Sequence, residues 1–594
     1  MLVVVLDTGI FCSDYGGRRK VRRVRREILG PFCGGSMRVP IRLPHRQGRY
    51  GGGAVGTARL QAGARGTRIP PMRIVTSAQM RQLDRLMIEE EEVSGYTLMD
   101  RAGRGVADVI RYLADLAGIS NPTALLIAGR GNNGGDAFAA ARHLREMGFE
   151  ATVRIAAPED QITGDALRHL MNLRAEGITV EEYPTREDWA ENLAHPFGAD
   201  FIVDGLLGIG SRGAPRWVVA SAIEYINAAA NDSYVVAIDI PSGLHADTGI
   251  AEGVAVTADV TVTMGLPKVG LVAPSALEFV GTVEVADLGL PPEMIEGLPP
   301  AVDLELIYSN ELRRVIPRRA RGSHKGTYGH LLLIGGARGY AGAIALACRA
   351  AVRSGVGLTS ALVPSSILPV VAGASLETMV HAGEETEAGS LRASALSTWL
   401  RRLDTFDAVV VGPGLTTHPD SAALVRTLLR ECPAPLVLDA DALNVLSGDP
   451  QAIRAARSTV IITPHPGEMA RLLGRDIASI QADRPAAARA AAAATGAIVV
   501  LKGAGTLVTT AEGPAHINLT GNPGMARGGS GDVLAGLLAG LLAQGIAPLD
   551  AARAAVFLHG RAGDMAAWRS SQTGMVAGDV VAELPYAFRE LALR

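Results

Sequence analysis

The stretch Pro523–Gly536, PGMARGGSGDVLAG, sets one acid, Asp532, behind a run of glycines and ahead of a helical pattern. Backbone N–H groups in a glycine turn and the positive end of a helix dipole together attract phosphate. A carboxylate at that mouth would repel the ligand, unless its task is to take a proton from a hydroxyl while the nest holds the phosphoryl group moving onto it. Asp532 is therefore a candidate general base. Four further segments run from a strand pattern into a polar or glycine-rich turn: GYAGA (339–343), GPGL (412–415), TPHPGE (463–468) and KGAGT (502–506). Each glycine alone could serve only its turn. At successive strand ends they describe a cleft lined by backbone N–H groups, suited to a nucleotide and a second anionic ligand. Lys502 is a phosphate contact or a solvated surface lysine. His465, fixed between two prolines, lines the pocket or simply occupies its loop.

A second constellation lies earlier. GRGNNGGDAF (129–138) carries Gly129, Gly131 and Gly134 in the order GxGxxG after a strand pattern and before a helical one. That supports a dinucleotide fingerprint, with Glu159 or Asp160 as the ribose acid, but the motif alone is weak. Asn132, Asn133 and Asp136 are polar groups that a pyrophosphate turn does not need. Asp204 in FIVDGLLGIGSRGAPR, and Asp239 and Ser242 in AIDIPSGL, stand at two further strand ends. They read as Asx-turn residues or caps, or, with the amide, as oxygen ligands of a hard cation beside a polar ligand. The convergence favours the cation site.

The elements that must position these groups alternate from Met72 onward. TALLIA (123–128), FEATVRIAA, ADFIVD, SYVVAIDIPSG and DVTVTM read as buried strands between helical stretches, the pattern of a doubly wound sheet. The proline-rich LGLPPEMIEGLPPAVDLELIY, around residues 288–308, interrupts the periodicity and reads as a boundary. The alternation restarts with HLLLIGG (330–336), a helix over about Ala341–Ser354 and four more strand-to-turn units, FDAVVVGPGL, APLVLDADAL, STVIITPHPGE and GAIVVLKGAGT, and the last helix begins near Ser530. In such sheets ligands sit outside the carboxyl ends of the strands, where all these turns fall. The expected fold is α/β, two doubly wound α/β/α domains over 72–298 and 299–594, the first of Rossmann type.

With 594 residues the chain is too long for one ordinary core, and its 70 glycines suit many tight strand-to-helix turns. A net charge of -3 gives no reason for a nucleic-acid or membrane partner, and no apolar run reaches the about 18 residues a spanning helix needs. Cys12, Cys33, Cys348 and Cys432 have no CxxC spacing, which argues against a disulfide framework or zinc ribbon and fits a cytoplasmic protein. Residues 1–71 differ: RRKVRRVRRE is a block of like charge, followed by glycine and arginine without apolar periodicity. That segment is expected to be a disordered extension or the product of a start placed too early, the alternative being a basic or targeting arm.

In this order and spacing GRGNNGGD, VDGLLGIGSRGAPR, IDIPSGLHADTG and DVTVTMGLPKVGL resemble the epimerase domain of the NAD(P)H-hydrate repair enzymes. HKGTYGHLLLIGG, GPGL, DADAL, TPHPGE, KGAGT and GNPGMARGGSGDVLAG resemble the ADP-dependent (S)-NAD(P)H-hydrate dehydratases, of the ribokinase-like superfamily. The resemblance implies metabolite repair. The R and S hydrates of NADH and NADPH interconvert at C6 in the first domain, and the second dehydrates the S form with ADP and magnesium, giving NAD(P)H, AMP and phosphate.

Carried over by motif, Asn132, Asn133, Gly134, Gly135, Asp136, the loop Gly208, Ile209, Gly210, Ser211, Arg212, Gly213 and Ala214, and Asp239 would hold the hydrated dinucleotide. Asp239 would also act in catalysis, and Asn133, Asp204 and Ser242 would contact potassium. In the second domain Ala343, Gly414, His465 and Asp532 would contact the hydrate, and Lys502, Gly503, Ala504, Gly505, Thr506 and Gly531 the adenine nucleotide. Ala137, Ile209 and Arg527 depart from the usual glycine, threonine and small polar residue. A homo-oligomer is expected. The rival readings are a ribokinase-type small-molecule kinase, and a first domain that only binds.

Overall fold

The computed structural model describes Leu2–Leu6, Gly9–Ser13 and residues 72–593 except 194–197 and 231. The chain divides into two units, Met1–Gly66 and Thr67–Arg594. In the first, Leu2–Leu6 pairs antiparallel with Gly9–Ser13; the basic block on which the expectation of a disordered extension rested lies outside the described residues.

The second unit holds two sheets. The seven-stranded sheet runs Thr282–Ala286, Val260–Met264, Tyr234–Ile238, Phe201–Gly205, Thr123–Ala128, Glu150–Ile155, Thr179–Glu182. Every pairing in it is parallel. Chain order reverses between Thr123–Ala128 and Phe201–Gly205, the Rossmann arrangement, so the crevice opens where Gly129 and Asp204 stand. Strand residues alternate between two cores. Leu126, Val153 and Val203 face the helices Gly95–Ala117, Asn132–Glu146 and Gly164–Ala175, whereas Leu125, Ile127 and Ile202 face Trp217–Ala229.

The second sheet has eleven strands and is mixed. Its parallel part runs Met379–Gly383, Leu358–Pro364, His330–Ile334, Ala408–Val411, Leu436–Leu438, Val460–Ile462, Ile498–Leu501. Beyond it Thr506–Thr509 and Ala515–Asn518 return antiparallel, because the KGAGT turn is too short to house a crossover helix. Leu304–Leu306 then adds in parallel, and Met72–Arg73 closes the edge antiparallel to it. Leu331 and Leu333 pack beneath the helices Ala341–Arg353 and Ser530–Ala543, Leu332 and Ile334 beneath Pro419–Glu431. The helix at Ser530 is not the last. Pro548–Arg569 and Ala577–Leu593 follow, and their apolar faces complete the core on its side. One apolar cluster includes Ile240, Leu244, Leu271 and Val283 as well as Leu507 and Ile517, so the two sheets share buried surface. Among the described residues no helix is long and apolar enough to cross a membrane.

Candidate functional sites

The first site is built at the switch point of the parallel sheet. Helix Asn132–Glu146 starts inside the glycine motif, with Gly131 as its N-cap. The glycines there answer to space. A β-carbon on Gly134 would lie 1.8 Å from the Gly129 carbonyl oxygen and one on Gly129 2.1 Å from that of Leu206, while one on Gly131 would meet nothing within 4 Å. This tight stack brings Asn133 beside the neighbouring strand end. Its Nδ2 donates to the Leu207 carbonyl at 2.9 Å.

Asp204, fully buried, accepts from the Ser242 hydroxyl at 2.7 Å, from the Ser242 N–H at 2.8 Å and from the Leu206 N–H at 3.2 Å. Asn133, Asp204, Ser242 and the Leu207 carbonyl thus converge. No cation side chain is among the groups that act on the Asp204 carboxyl, and burial pushes it up to about 6 against those hydrogen bonds. The buried carboxylate, the Ser242 hydroxyl and the Leu207 carbonyl offer oxygens that could meet a hard cation. Among the described residues no group of three or more His, Cys, Asp or Glu is placed to hold a metal ion.

Asp239 ends the next strand in a left-handed conformation, φ 68°, an unusual state for an aspartate and one that recurs at functional sites. Lys268, wholly buried, donates to Asp239 Oδ1 at 2.5 Å, to the Met264 carbonyl at 2.8 Å and to Thr263 Oγ1 at 3.0 Å. Two more acids share this neighbourhood. Asp136 is pushed well up by burial and then by the charges of Asp239 and Asp84. Asp84, on helix Ser77–Glu89, is raised to about 6 by burial, against the pull of Lys268. Sequence reading missed Lys268 and Asp84. The signal for the first was a single charge inside the otherwise apolar MGLPKVGL. The loop Gly208–Ala214 borders the same crevice: Gly208 abuts Asn133, and Gly213 takes φ 75°. Ile209 is half-buried against the apolar core, and Ala137 is fully buried, its methyl against Gly205, so both departures are packing residues. Glu159 pairs with Arg174.

The second site is a cavity of about 1380 Å³, larger than the roughly 300–1,000 Å³ of a single-ligand cleft. Lys502–Thr506, His465, Gly528–Gly531 and Asp532 all line it. Gly529 caps helix Ser530–Ala543 at φ 95°, and Asp532 sits in the first turn. Burial, reinforced by the charge of Asp439, raises the Asp532 carboxyl to about 7 although Lys502 opposes the shift. Lys502 is no surface lysine: its ammonium donates to Asp439 Oδ1 at 2.9 Å and stands 3.4 Å from where a β-carbon on Gly531 would be. Asp439, from the DADAL turn, is 1% exposed and was not foreseen as a site residue.

His465 Nδ1 accepts from the N–H groups of Gly467 at 3.0 Å and Glu468 at 3.3 Å, capping helix Pro466–Leu473. Its Nε2 stands 3.4 Å from Glu468 Oε1, so Glu468 holds the ring at both edges where it faces the cavity. Ala343 and Gly414 adjoin each other at the sheet's switch point, with a β-carbon on Gly414 3.3 Å from that of Ala343, but neither is part of the cavity lining. Arg527 lines the cavity beside the nest and donates to the Thr573 carbonyl.

Behind the nest, Asp564 accepts from the Gly521 N–H at 2.9 Å and from Asn522 Nδ2 at 3.1 Å, fixing the loop that leads into Pro523. One turn earlier on the same helix, buried Arg561 pairs with Glu590 and, across the sheets, with Glu284 at 2.9 Å.

A family model described as NAD(P)H-hydrate dehydratase matches residues 331–586, and one described as YjeF-related protein N-terminus matches residues 95–270. A protein of Moorella thermoacetica named bifunctional NAD(P)H-hydrate repair enzyme is 41% identical over 526 residues, 88% of this chain and 97% of that one. The chain belongs to the bifunctional NAD(P)H-hydrate repair enzymes. The enzyme of that name from Escherichia coli K12 is 36% identical, over 82% of this chain and 88% of its own. A crystal structure titled ADP/ATP-dependent NAD(P)H-hydrate dehydratase from Bacillus subtilis, obtained with ATP and Mg2+, covers 48% of this chain and 98% of its own at 30% identity and TM-score 0.42. As a member of the family the chain is a two-activity repair enzyme, an NAD(P)H-hydrate epimerase of Rossmann type joined to an α/β NAD(P)H-hydrate dehydratase. A kinase that stops at a phosphate ester, or a first half that only binds, does not fit a match of that extent.

Proposed function

We propose that Asp532 takes the proton from the C6 hydroxyl of the S hydrate as the β-phosphoryl group of ADP moves onto that oxygen. The P–O bond to AMP breaks as the new one forms. The C6–O bond then breaks with loss of the C5 proton, releasing phosphate and restoring the ring double bond of NADH or NADPH. Phosphorylation turns a poor leaving group into a good one. A single observation carries this reading: a carboxyl raised to about 7 stands in the first turn of a helix whose glycine-rich start and Lys502 face one cavity. A base is most effective with a pKa near the working pH. Lys502–Thr506 and Gly531 hold the adenine nucleotide, and His465, with Ala343 and Gly414 at the switch point, holds the hydrate. Magnesium would enter with the nucleotide and offset the negative charge of its phosphates.

In the first domain, Asn132–Asp136, Gly208–Ala214 and Asp239 hold the hydrated dinucleotide, and potassium rests on Asn133, Asp204 and Ser242. The cation neutralises the buried Asp204 carboxylate when bound. Asp239, ion-paired with Lys268, is the candidate acid or base for exchange at C6. The domains span 72–298 and 299–594, with Met72–Arg73 lent to the second sheet, and the protein works in the cytoplasm as a homo-oligomer. The test follows the reduced-nicotinamide absorbance after adding the protein to mixed R and S hydrates with ADP and magnesium. Complete recovery is the expected result. Recovery that stops at the S fraction would remove the epimerase, and none would overturn the reading.

A further inference from the structure

The dehydratase cavity is not made by the second domain alone. Tyr234, Asp259, Glu278 and Thr282 of the first domain line it together with Lys502 and Asp532. Tyr234, Asp259 and Thr282 stand at the amino ends of three adjacent strands of the parallel sheet, whose carboxyl ends bear the epimerase residues. Tyr234 packs against Trp568 of the second domain, the ring centroids 4.2 Å apart and the planes tilted by 36°. Asp259 uses Oδ2 to accept the Val235 N–H at 2.9 Å, which leaves its other carboxylate oxygen for a ligand.

A half-buried aromatic pair beside an acceptor-only carboxylate is a chemical match for an adenosine group. The aromatic faces take the flat base, and a carboxylate accepts from an exocyclic amine or a ribose hydroxyl. We propose that the first domain supplies the far wall of the dehydratase cavity, where Tyr234, Trp568 and Asp259 hold the adenosine end of a ligand whose phosphates lie toward Lys502. Two ligands carry that group, ADP and the hydrated dinucleotide. The inference rests on the proposed seat of the adenine nucleotide at Lys502–Thr506.

The test uses the full chain and pure S hydrate, measuring KM for ADP and for the hydrate separately. Tyr234→Ala and Asp259→Asn raise one of the two KM values by about fivefold while kcat changes less than twofold. The KM that moves identifies the source of the adenosine. Asp259→Asn keeps an acceptor for the Val235 N–H, so it decides the matter if Tyr234→Ala fails to fold. Epimerisation, carried by the opposite ends of the same strands, reports folding and stays unchanged. Both KM values unmoved in both variants would overturn the proposal. Gly531→Ala separates the two levels of inference, since its new methyl would stand beside the Lys502 ammonium, 3.4 Å away, in the space proposed for the phosphates. If that variant leaves KM for ADP unchanged, the nucleotide seat itself is wrong; if it raises KM and the wall variants do not, only the wall is wrong.

Discussion

Lys502 and Asp439 meet at 2.9 Å at the inner end of the cavity, and this pair sets the electrostatic surroundings of Asp532. Asp439 raises the Asp532 carboxyl and Lys502 lowers it, with burial the largest influence. A base acts only when unprotonated. The kcat/KM of dehydration should therefore be full above about 7 and be lost as pH falls through that value. Asp439→Asn removes a charge that raises the carboxyl and frees one that lowers it, so the inflection should move to lower pH. A pH profile of pure S hydrate turnover in both proteins checks this, and an inflection that moves upward would contradict it.

Asp532→Asn keeps the shape of the side chain but cannot take the proton. Dehydration should drop by about 10²–10⁴-fold, with ADP affinity by calorimetry changed little. Full turnover in that variant would remove Asp532 from the mechanism.

Asp204→Ala deletes the acceptor of three hydrogen bonds and the one carboxylate among the potassium candidates. Epimerisation should fall and lose its response to potassium, while turnover of pure S hydrate persists. Equal loss of both activities would instead indicate misfolding.

Gly134 and Gly131 make a paired test of the glycine motif. Gly134→Ala drives a methyl into the Gly129 carbonyl and should abolish epimerisation and lower Tm. Gly131→Ala meets open space and should leave Tm unchanged. Equal Tm losses would show that conformation, not space, selects these glycines.

Arg561→Met strips Glu284 and Glu590 of their shared cation. Removing one partner of a buried ion group costs about 3–5 kcal/mol, to be read by chemical denaturation. A loss below about 1 kcal/mol would mean that water reaches these carboxylates.

What was legible in the sequence was local. Strand patterns such as TALLIA and the turns behind them depend on neighbours in the chain, and TALLIA became the strand Thr123–Ala128. Asn133, Asp204 and Ser242 were legible as a group because each ends or follows a parallel strand at one switch point. Lys268 and Asp439 were not singled out, since a buried charge is defined by its partner and neither partner is near in sequence. The wall formed by Tyr234 and Asp259 was invisible for another reason. It lies at the amino ends of strands, where no turn motif marks a site, and it exists only because a second domain packs there. The two helices after Ala543 follow no strand and close no glycine nest, so no strand-to-turn pattern marks them in the sequence.

Met72–Arg73 borders Leu304–Leu306 before the chain has built its first domain. The polypeptide therefore crosses between the domains twice, once at this edge strand and once through the proline-rich passage. A protease cut in that passage would leave two fragments still stitched by the strand and by their common apolar cluster. No single cut yields two free-standing halves, and a gene divided at the linker would hand the first product a strand that belongs to the second.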